Sequence, residues 1–281
     1  MSDRDPAPTL DAQLPQAPSQ ADWDALSPTD RARLVANLPS WLTDAELSPP
    51  EGDLHLEAKL EARDALRRFF SSQGRSLYVG CDLVVYYPAA PRFAPDIFVV
   101  FDVPDHPRDS WVVSAEGKGL DFALEVHVGG DRKKDYQHHP TYFASLGIPE
   151  CFVFDRWRNR LNGWRLAAPG ARSYTPIVPQ QGRWASQVLG LDLRLEDGKL
   201  RFYAGSAQLL VAEELMRKLE TAMTEIEAGL APEVEARAAE AEARAAADEA
   251  LAQRDAALAK AEADLARALP ELARLKGAPS D

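Results

Sequence analysis

No apolar run in this 281-residue chain approaches the roughly 20 residues that a helix needs to cross a bilayer. The first residues, Met1-Ser2-Asp3-Arg4-Asp5-Pro6, lack the basic and then apolar order of a secretory signal. These two absences predict a cytoplasmic protein with no membrane partner. Cysteine is nearly missing as well. Cys81 and Cys151 are the only two, and both lie in apolar runs. That excludes a disulfide framework and a zinc site built from cysteine, and predicts buried, reduced thiols. Positive charge is in deficit too, with 32 Lys and Arg against 44 Asp and Glu, a net of −12. Taken over the whole chain, that balance argues against nucleic acid as a partner.

The deficit is not evenly spread. Residues 1–50 carry 8 acids and 3 bases, and residues 212–281 carry 16 acids and 9 bases. Residues 51–211 carry 20 of each, so the middle of the chain is neutral. Within it lie two basic clusters, Arg132-Lys133-Lys134 and the set Arg156, Arg158, Arg160 and Arg165. The objection to nucleic acid therefore applies to the flanks more than to the middle. A solvated face of mixed charge is the plain alternative for each cluster.

Three segments follow from composition and periodicity. Residues 1–50 are rich in Pro, Ala, Asp and Ser and are expected to be mostly disordered, with one amphipathic piece near 32–42 able to dock on a core. Residues 51–206 read as the folded domain. A helix is predicted over Leu54–Phe70, with Gly74 just beyond it. Strands are predicted around Leu77–Tyr87, Asp96–Phe101, Leu120–Val128, Cys151–Asp155 and Leu161–Leu166. Between them, Asp131–Leu146 reads as a helix closed by Gly147, which Pro140 either kinks or delays. A hairpin is predicted where Asp197-Gly198 joins Leu191–Leu195 to Leu200–Tyr203. This order implies an α/β fold, a mixed sheet flanked by helices. Residues 207–276 are rich in Ala, Glu and Arg and predict a long helix. Leu251, Leu258, Leu265 and Leu272 fall seven apart, and Ala247, Ala261, Ala268 and Leu275 fill the second seam, which Arg254 interrupts. That is a heptad pattern, and it predicts a homo-oligomer joined through a coiled coil. A single helix folded back on the domain is the alternative.

Two acids stand out in the middle segment. Asp96 opens the apolar run Ile97-Phe98-Val99-Val100, and Glu125 sits inside Phe122-Ala123-Leu124-Glu125-Val126-His127-Val128. A carboxylate in such surroundings is costly without a cation, a metal or hydrogen bonds. Side chains alternate along a strand, so Phe122, Leu124, Val126 and Val128 share a core face while Asp121, Ala123, Glu125 and His127 share the other. Asp96 and Glu125 on neighbouring strands would offer hard oxygen ligands for Mg²⁺. A salt-bridged or edge-exposed pair is the bland alternative.

From Tyr78-Val79-Gly80 through Ala94-Pro95-Asp96, Glu116-Gly117-Lys118, Asp121–Val126, Phe143–Glu150, Phe152-Val153-Phe154-Asp155 and Leu161–Leu166, the chain resembles the Uma-type restriction-endonuclease family. That family belongs to the PD-(D/E)XK nuclease superfamily. The resemblance implies a restriction-endonuclease-like fold and Mg²⁺-dependent cleavage of DNA, and a histidine at the site would also suit the softer Mn²⁺ in its place. It implies that Asp96 and Glu125 hold the metal together with the main-chain carbonyl of Val126, and that the residue two past Glu125 contacts water and phosphate. Relatives carry lysine there, or four residues after an Asp in the following helix. This chain has His127 at the first place, and Asp135 followed by His139 at the second. Histidine can act as a base near neutral pH. Lys118, Lys133 and Lys134 are candidates to supply the missing ammonium. The alternative function is a nuclease-fold module with little or no activity that binds or regulates a partner. His55 and Glu57 on the first helix are expected on a solvated face, as is His138. Trp157 and Trp164 are candidates to stack on bases, with packing as their plainer use. No ATP-binding or methyltransferase motif marks a self-contained restriction system.

Overall fold

The computed structural model describes residues 15–43, 52–129 and 138–276, with side chains up to residue 270. Asp131, Arg132, Lys133, Lys134 and Asp135 lie outside the described residues, as do 1–14 and 44–50 of the N-terminal segment. Within 15–43, Ser19 caps α1 (Gln20–Ala25), and Ser27 caps α2 (Pro28–Asn37), where Pro28 sits in the first turn. Val35, Leu38 and Leu42 pack against Ala17, Val84, Tyr86 and Val112.

The elements that build the site follow α3 (Gly52–Ser72). They are β1 (Leu77–Cys81), β2 (Val85–Tyr86), β3 (Ile97–Phe101), β4 (Trp111–Val112), α4 (Val113–Glu116), β5 (Phe122–His127) and α5 (His139–Leu146). Then come β6 (Glu150–Asp155), β7 (Arg160–Leu166), β8 (Tyr174–Pro176), β9 (Trp184–Ser186), β10 (Leu191–Glu196), β11 (Lys199–Ala204), β12 (Ala207–Gln208) and α6 (Ala212–Lys276). No described helix is long and apolar enough to cross a membrane.

The main sheet has six strands in the order β1-β3-β5-β6-β7-β8. Only β5 and β6 are parallel, with α5 between them in the chain, and the other pairs are antiparallel. The sheet is mixed, as expected. Its central strands β3, β5 and β6 are buried along their whole length, which is why they read as near-continuous apolar runs. Ala58, Ala62, Ala65, Leu66 and Phe70 of α3 bury one helix face against Ile97, Val99, Phe122 and Leu124. The second sheet, β12-β11-β10-β9, adds Leu191, Leu193, Leu200 and Phe202 to the same core. Phe143 of α5 belongs to a separate cluster on the other face, with Phe98, Val100, Ala123 and Cys151.

Two glycines are demanded by packing in this sheet. Gly80 faces Phe98 and Gly163 faces Phe152, and an added Cβ would come within 2.2 Å and 2.5 Å of the respective rings. The predicted hairpin forms as β10 and β11, with Asp197 at φ 51° and Gly198 at φ 74°. Two successive positive φ values suit the twist of a two-residue hairpin.

The strand expected over Leu77–Tyr87 is interrupted. Asp82 takes φ 51°, ends β1, and sends the chain into β2, which pairs with β4 away from the main sheet. The described part of the helix expected over Asp131–Leu146 begins at His139, with Pro140 in its first turn, and Gly147 at φ 82° closes it. From Glu213 to Lys276 the described residues form a unit of their own, a helix whose larger apolar side chains are exposed as far as residue 270.

Candidate functional site

Strand pairing brings the two acids together at one end of the sheet. The β3–β5 ladder pairs Ile97 with Leu124, so the next step outward holds Asp96 and Glu125. The Val126 N–H donates to Asp96 Oδ2 at 2.7 Å, which fixes the Asp96 carboxylate to β5. Its other oxygen lies 3.0 Å from His55 Nε2 and 3.6 Å from Lys59 Nζ. His55 and Lys59 are four residues apart on α3 and so share a helix face. Lys59 also donates to both carboxylate oxygens of Asp82, at 2.9 and 2.7 Å. Glu125 is served from the opposite layer. His139, in the first turn of α5, sets Nδ1 3.1 Å from Glu125 Oε1 and stacks its ring on Phe143. One acid thus meets α3 and the other meets α5.

Electrostatics at the site follow from this arrangement. Burial pushes the Asp96 carboxyl up, but the hydrogen bond and charge of His55, the Val126 N–H and the charge of Lys59 together hold it below the ordinary carboxylate value. Burial disfavours the charged form of Lys59, yet Asp82 and Asp96 outweigh it and raise the ammonium above its usual value. Lys59 is therefore a charged lysine with only 7 % of its surface exposed. Burial, followed by the charge of Asp82, pushes the neighbouring Cys81 thiol up to about 12, so it is not a nucleophile near neutral pH.

His127 is 1 % exposed and stands in register with the fully buried Asp155 on β6. The Arg156 N–H donates to its main-chain carbonyl. The imidazoles seen against the two carboxylates are instead those of His55 and His139. The expectation of a solvated His55 is thus corrected: its side chain is 13 % exposed and sits on Asp96. Glu57 keeps a side chain 42 % exposed, as expected of a solvated face, and also pairs with Arg156 at 2.6 Å and Lys199 at 2.9 Å, which ties α3 to β11. His138 is exposed, as read. Lys118 donates to the Phe101 carbonyl and pairs with Asp121, at the far end of β3 from Asp96, so it does not supply the missing ammonium. Sequence reasoning missed Lys59 altogether. A signal was present, because Lys59 precedes Ala62 and Leu66 at the spacing of the core-facing residues of α3.

The basic cluster after β6 is largely engaged. Arg156 binds Glu57, Arg158 binds Asp155, and Arg165 pairs with Glu150. The buried Glu150 also accepts from the Ser186 hydroxyl and the Gln187 N–H, which anchors β9 to β6. Trp157 is 74 % exposed and Trp164 half-buried. A second arginine cluster further along α3 is also ion-paired, Arg67 with Asp105, Arg68 with Asp64 and Arg75 with Asp102. A groove of about 700 Å³ there is lined by Arg63, Arg67, Arg68 and Arg75, with Asp64 and Asp105. Arg63 follows Lys59 by one helical turn.

Among the described residues, no group of three or more His, Cys, Asp or Glu side chains gathers as a ready metal cage. Mg²⁺ does not require one, since it is commonly held by one or two carboxylates, water and substrate phosphates. Asp96 and Glu125 are a donor set of that kind, hard oxygens on adjoining strands. A cation entering there competes with His55 and His139 for the carboxylate oxygens.

A family profile described as "Uma2: Putative restriction endonuclease" matches residues 44–197, more than half of the chain. No curated protein matches it.

Proposed function

The chain belongs to the Uma2 family of restriction-endonuclease relatives, and we propose on that footing that it is a Mg²⁺-dependent endonuclease hydrolysing phosphodiester bonds in DNA. The observation that carries this reading is the pairing of the buried Glu125 with the largely buried Asp96 at one sheet end, with a buried ammonium 3.6 Å from Asp96. Asp96, Glu125 and the carbonyl of Val126 would hold Mg²⁺, or Mn²⁺, which when bound supplies charge neutralisation at the phosphate and acidifies water.

The chain's own residues have separable tasks. The Val126 N–H and His55 orient the Asp96 carboxylate. His139 orients Glu125, and its imidazole is able to take up or release a proton beside that oxygen. Lys59 is the cation that faces the negative charge building on the scissile phosphate. It takes over, from α3, the part that relatives give to a lysine on the strand or on the next helix. His127 keeps the strand position but is buried beside Asp155, and acts as a positioning residue for β5. Arg63 and its neighbours on α3 would bind flanking phosphates, which orients the strand without reading its sequence.

A second reading is a binding module that has lost cleavage. It is favoured by the histidines at both family lysine positions, and by imidazoles already seated on both carboxylates. The test is cleavage of supercoiled and single-stranded DNA with Mg²⁺ or Mn²⁺, beside Asp96→Ala and Glu125→Ala. Metal-dependent nicking that vanishes in both variants supports the endonuclease. Absence of cleavage by folded wild type with either metal favours the module.

A further inference from the structure

The long helix α6 carries a seam that runs well beyond its leucine-rich end. α6 is one uninterrupted helix over Ala212–Lys276. Counting back in sevens from Leu265 reaches Leu258, Leu251, Arg244, Arg237, Leu230, Met223 and Met216. The companion positions, four before each, are Ala261, Arg254, Ala247, Glu240, Glu233, Ile226 and Leu219, reading in the same direction from Leu265. The heptad register therefore continues across both halves, and its large apolar members are exposed, Met223 at 60 %, Ile226 at 62 % and Leu258 at 60 %. Five charged residues occupy it, Arg237 and Arg244 on one seam and Glu233, Glu240 and, nearer the leucine-rich end, Arg254 on the other. Pro232 falls at an outward-facing position of this repeat and so does not enter the seam.

We propose that α6 pairs with the α6 of a second copy of this chain as an antiparallel coiled coil. In a parallel in-register pair, like positions face each other. Arg237 would meet Arg237, Arg244 would meet Arg244, and the two glutamates would do the same, which puts four successive like-charged layers in one core. In an antiparallel pair the two seams face one another instead. Arg237 then meets the partner's Glu240 and Arg244 meets the partner's Glu233. The same register sets Ile226 on the partner's Leu251, Leu219 on the partner's Leu258, and Leu230 and Met216 on the partner's small Ala247 and Ala261. Sliding by one heptad would place Leu230 against Glu240 and Ile226 against Arg244, burying unpaired charge. Charge thus selects both direction and register, as single polar core residues do in other coiled coils. Arg254 faces Met223, where its aliphatic stem covers the thioether and its head reaches water. Glu220 and Glu227 come near the partner's Asp255 and Asp248 on the solvated rim, where screening keeps the cost small. At about 1.5 Å per residue, the two helix starts at Ala212 lie about 80 Å apart in this register.

The pairing does not depend on the nuclease reading. The test uses full-length protein carrying Leu219→Cys, Leu258→Cys or both, oxidised at micromolar concentration, with the wild type as the control for its own buried thiols. The expected result is a covalent dimer from the double variant and none from either single variant. A monomer by light scattering, or self-linking of a single variant, overturns the proposal. A second arm reverses charge. Glu233→Arg with Glu240→Arg should weaken dimerisation at least tenfold, and adding Arg237→Glu with Arg244→Glu should restore it. Unchanged dimerisation of the first pair, or no recovery in the fourfold variant with helicity intact, also overturns it.

Discussion

Lys59→Met separates the structural role of the buried ammonium from its proposed role at the phosphate. Methionine keeps the length of the side chain and its packing on α3 and removes the charge. Two contacts are lost. The one to Asp82 involves a carboxylate 54 % exposed, so it contributes about 0.2–1 kcal/mol. The one to Asp96 reaches a carboxylate only 14 % exposed, but that carboxylate keeps His55 and the Val126 N–H, so its loss costs about 1 kcal/mol rather than the full penalty of an unpaired buried charge. Removing the desolvation cost of the ammonium offsets part of this. The net is about 1 kcal/mol, which lowers the melting temperature by roughly 2–4 °C in a unit of this size. If Lys59 faces the phosphate, the nicking rate falls far more, by about 10²–10³, as when one donor to a developing oxyanion is removed. The assay is single-turnover nicking of supercoiled DNA with Mg²⁺, beside a thermal melt of the same preparation. Lys59→Arg keeps the charge and should retain more of the rate than methionine does. A folded Lys59→Met protein that nicks at the wild-type rate refutes the reasoning and leaves Lys59 a structural cation.

Three further predictions follow from the packing and the charges. Gly80→Ala forces a Cβ into the Phe98 ring, so urea denaturation should register a loss of about 1–3 kcal/mol. Hydrogen bonds from Lys199 and then Arg156 hold Glu57 below 4.5, so its contribution is present above that pH and is lost as the pH falls through the depressed value. Glu57→Gln should accordingly cost less than about 1 kcal/mol near pH 7, because the group is partly exposed, and the gap to wild type should close below pH 4.5 in melts run across that range. Burial, above all, raises both thiols, Cys81 to about 12 and Cys151 well above its ordinary value. An Ellman titration at pH 8 should therefore count Cys151, which is buried, only after unfolding, with the partly buried Cys81 slow in the native protein, and rapid labelling of both native thiols would contradict this.

The sheet was legible because burial on both faces removes polar residues from a strand. β3, β5 and β6 are buried throughout and left near-continuous apolar runs, and the hairpin announced itself through Asp197-Gly198, which accepts two positive φ values. The break after Cys81 left no such mark. Cys81, Leu83, Val84, Val85 and Tyr86 read as one apolar run, yet Asp82 enters a left-handed conformation and the chain leaves the main sheet. An aspartate tolerates that turn at small cost, and pattern alone cannot tell it from an edge residue. The short strands β8, β9 and β12 were missed because two or three residues carry no periodicity.

The same physics explains why half of the candidate site was read and half was not. Asp96 and Glu125 are anomalies within their own strands, so a few neighbouring residues suffice to expose them. Their partners come from helices, His55 and Lys59 from some forty residues upstream of Asp96 and His139 from the crossover helix. On a helix a polar residue is expected on three sides of every turn, and nothing local distinguishes a solvated histidine from one turned toward a buried acid. Lys59 is the exception, since its spacing to Ala62 and Leu66 sets it on the face of α3 that makes the core. A lysine on a core-facing position must have an acid to meet. With Asp96 already conspicuous at the start of its strand, that acid could have been sought there.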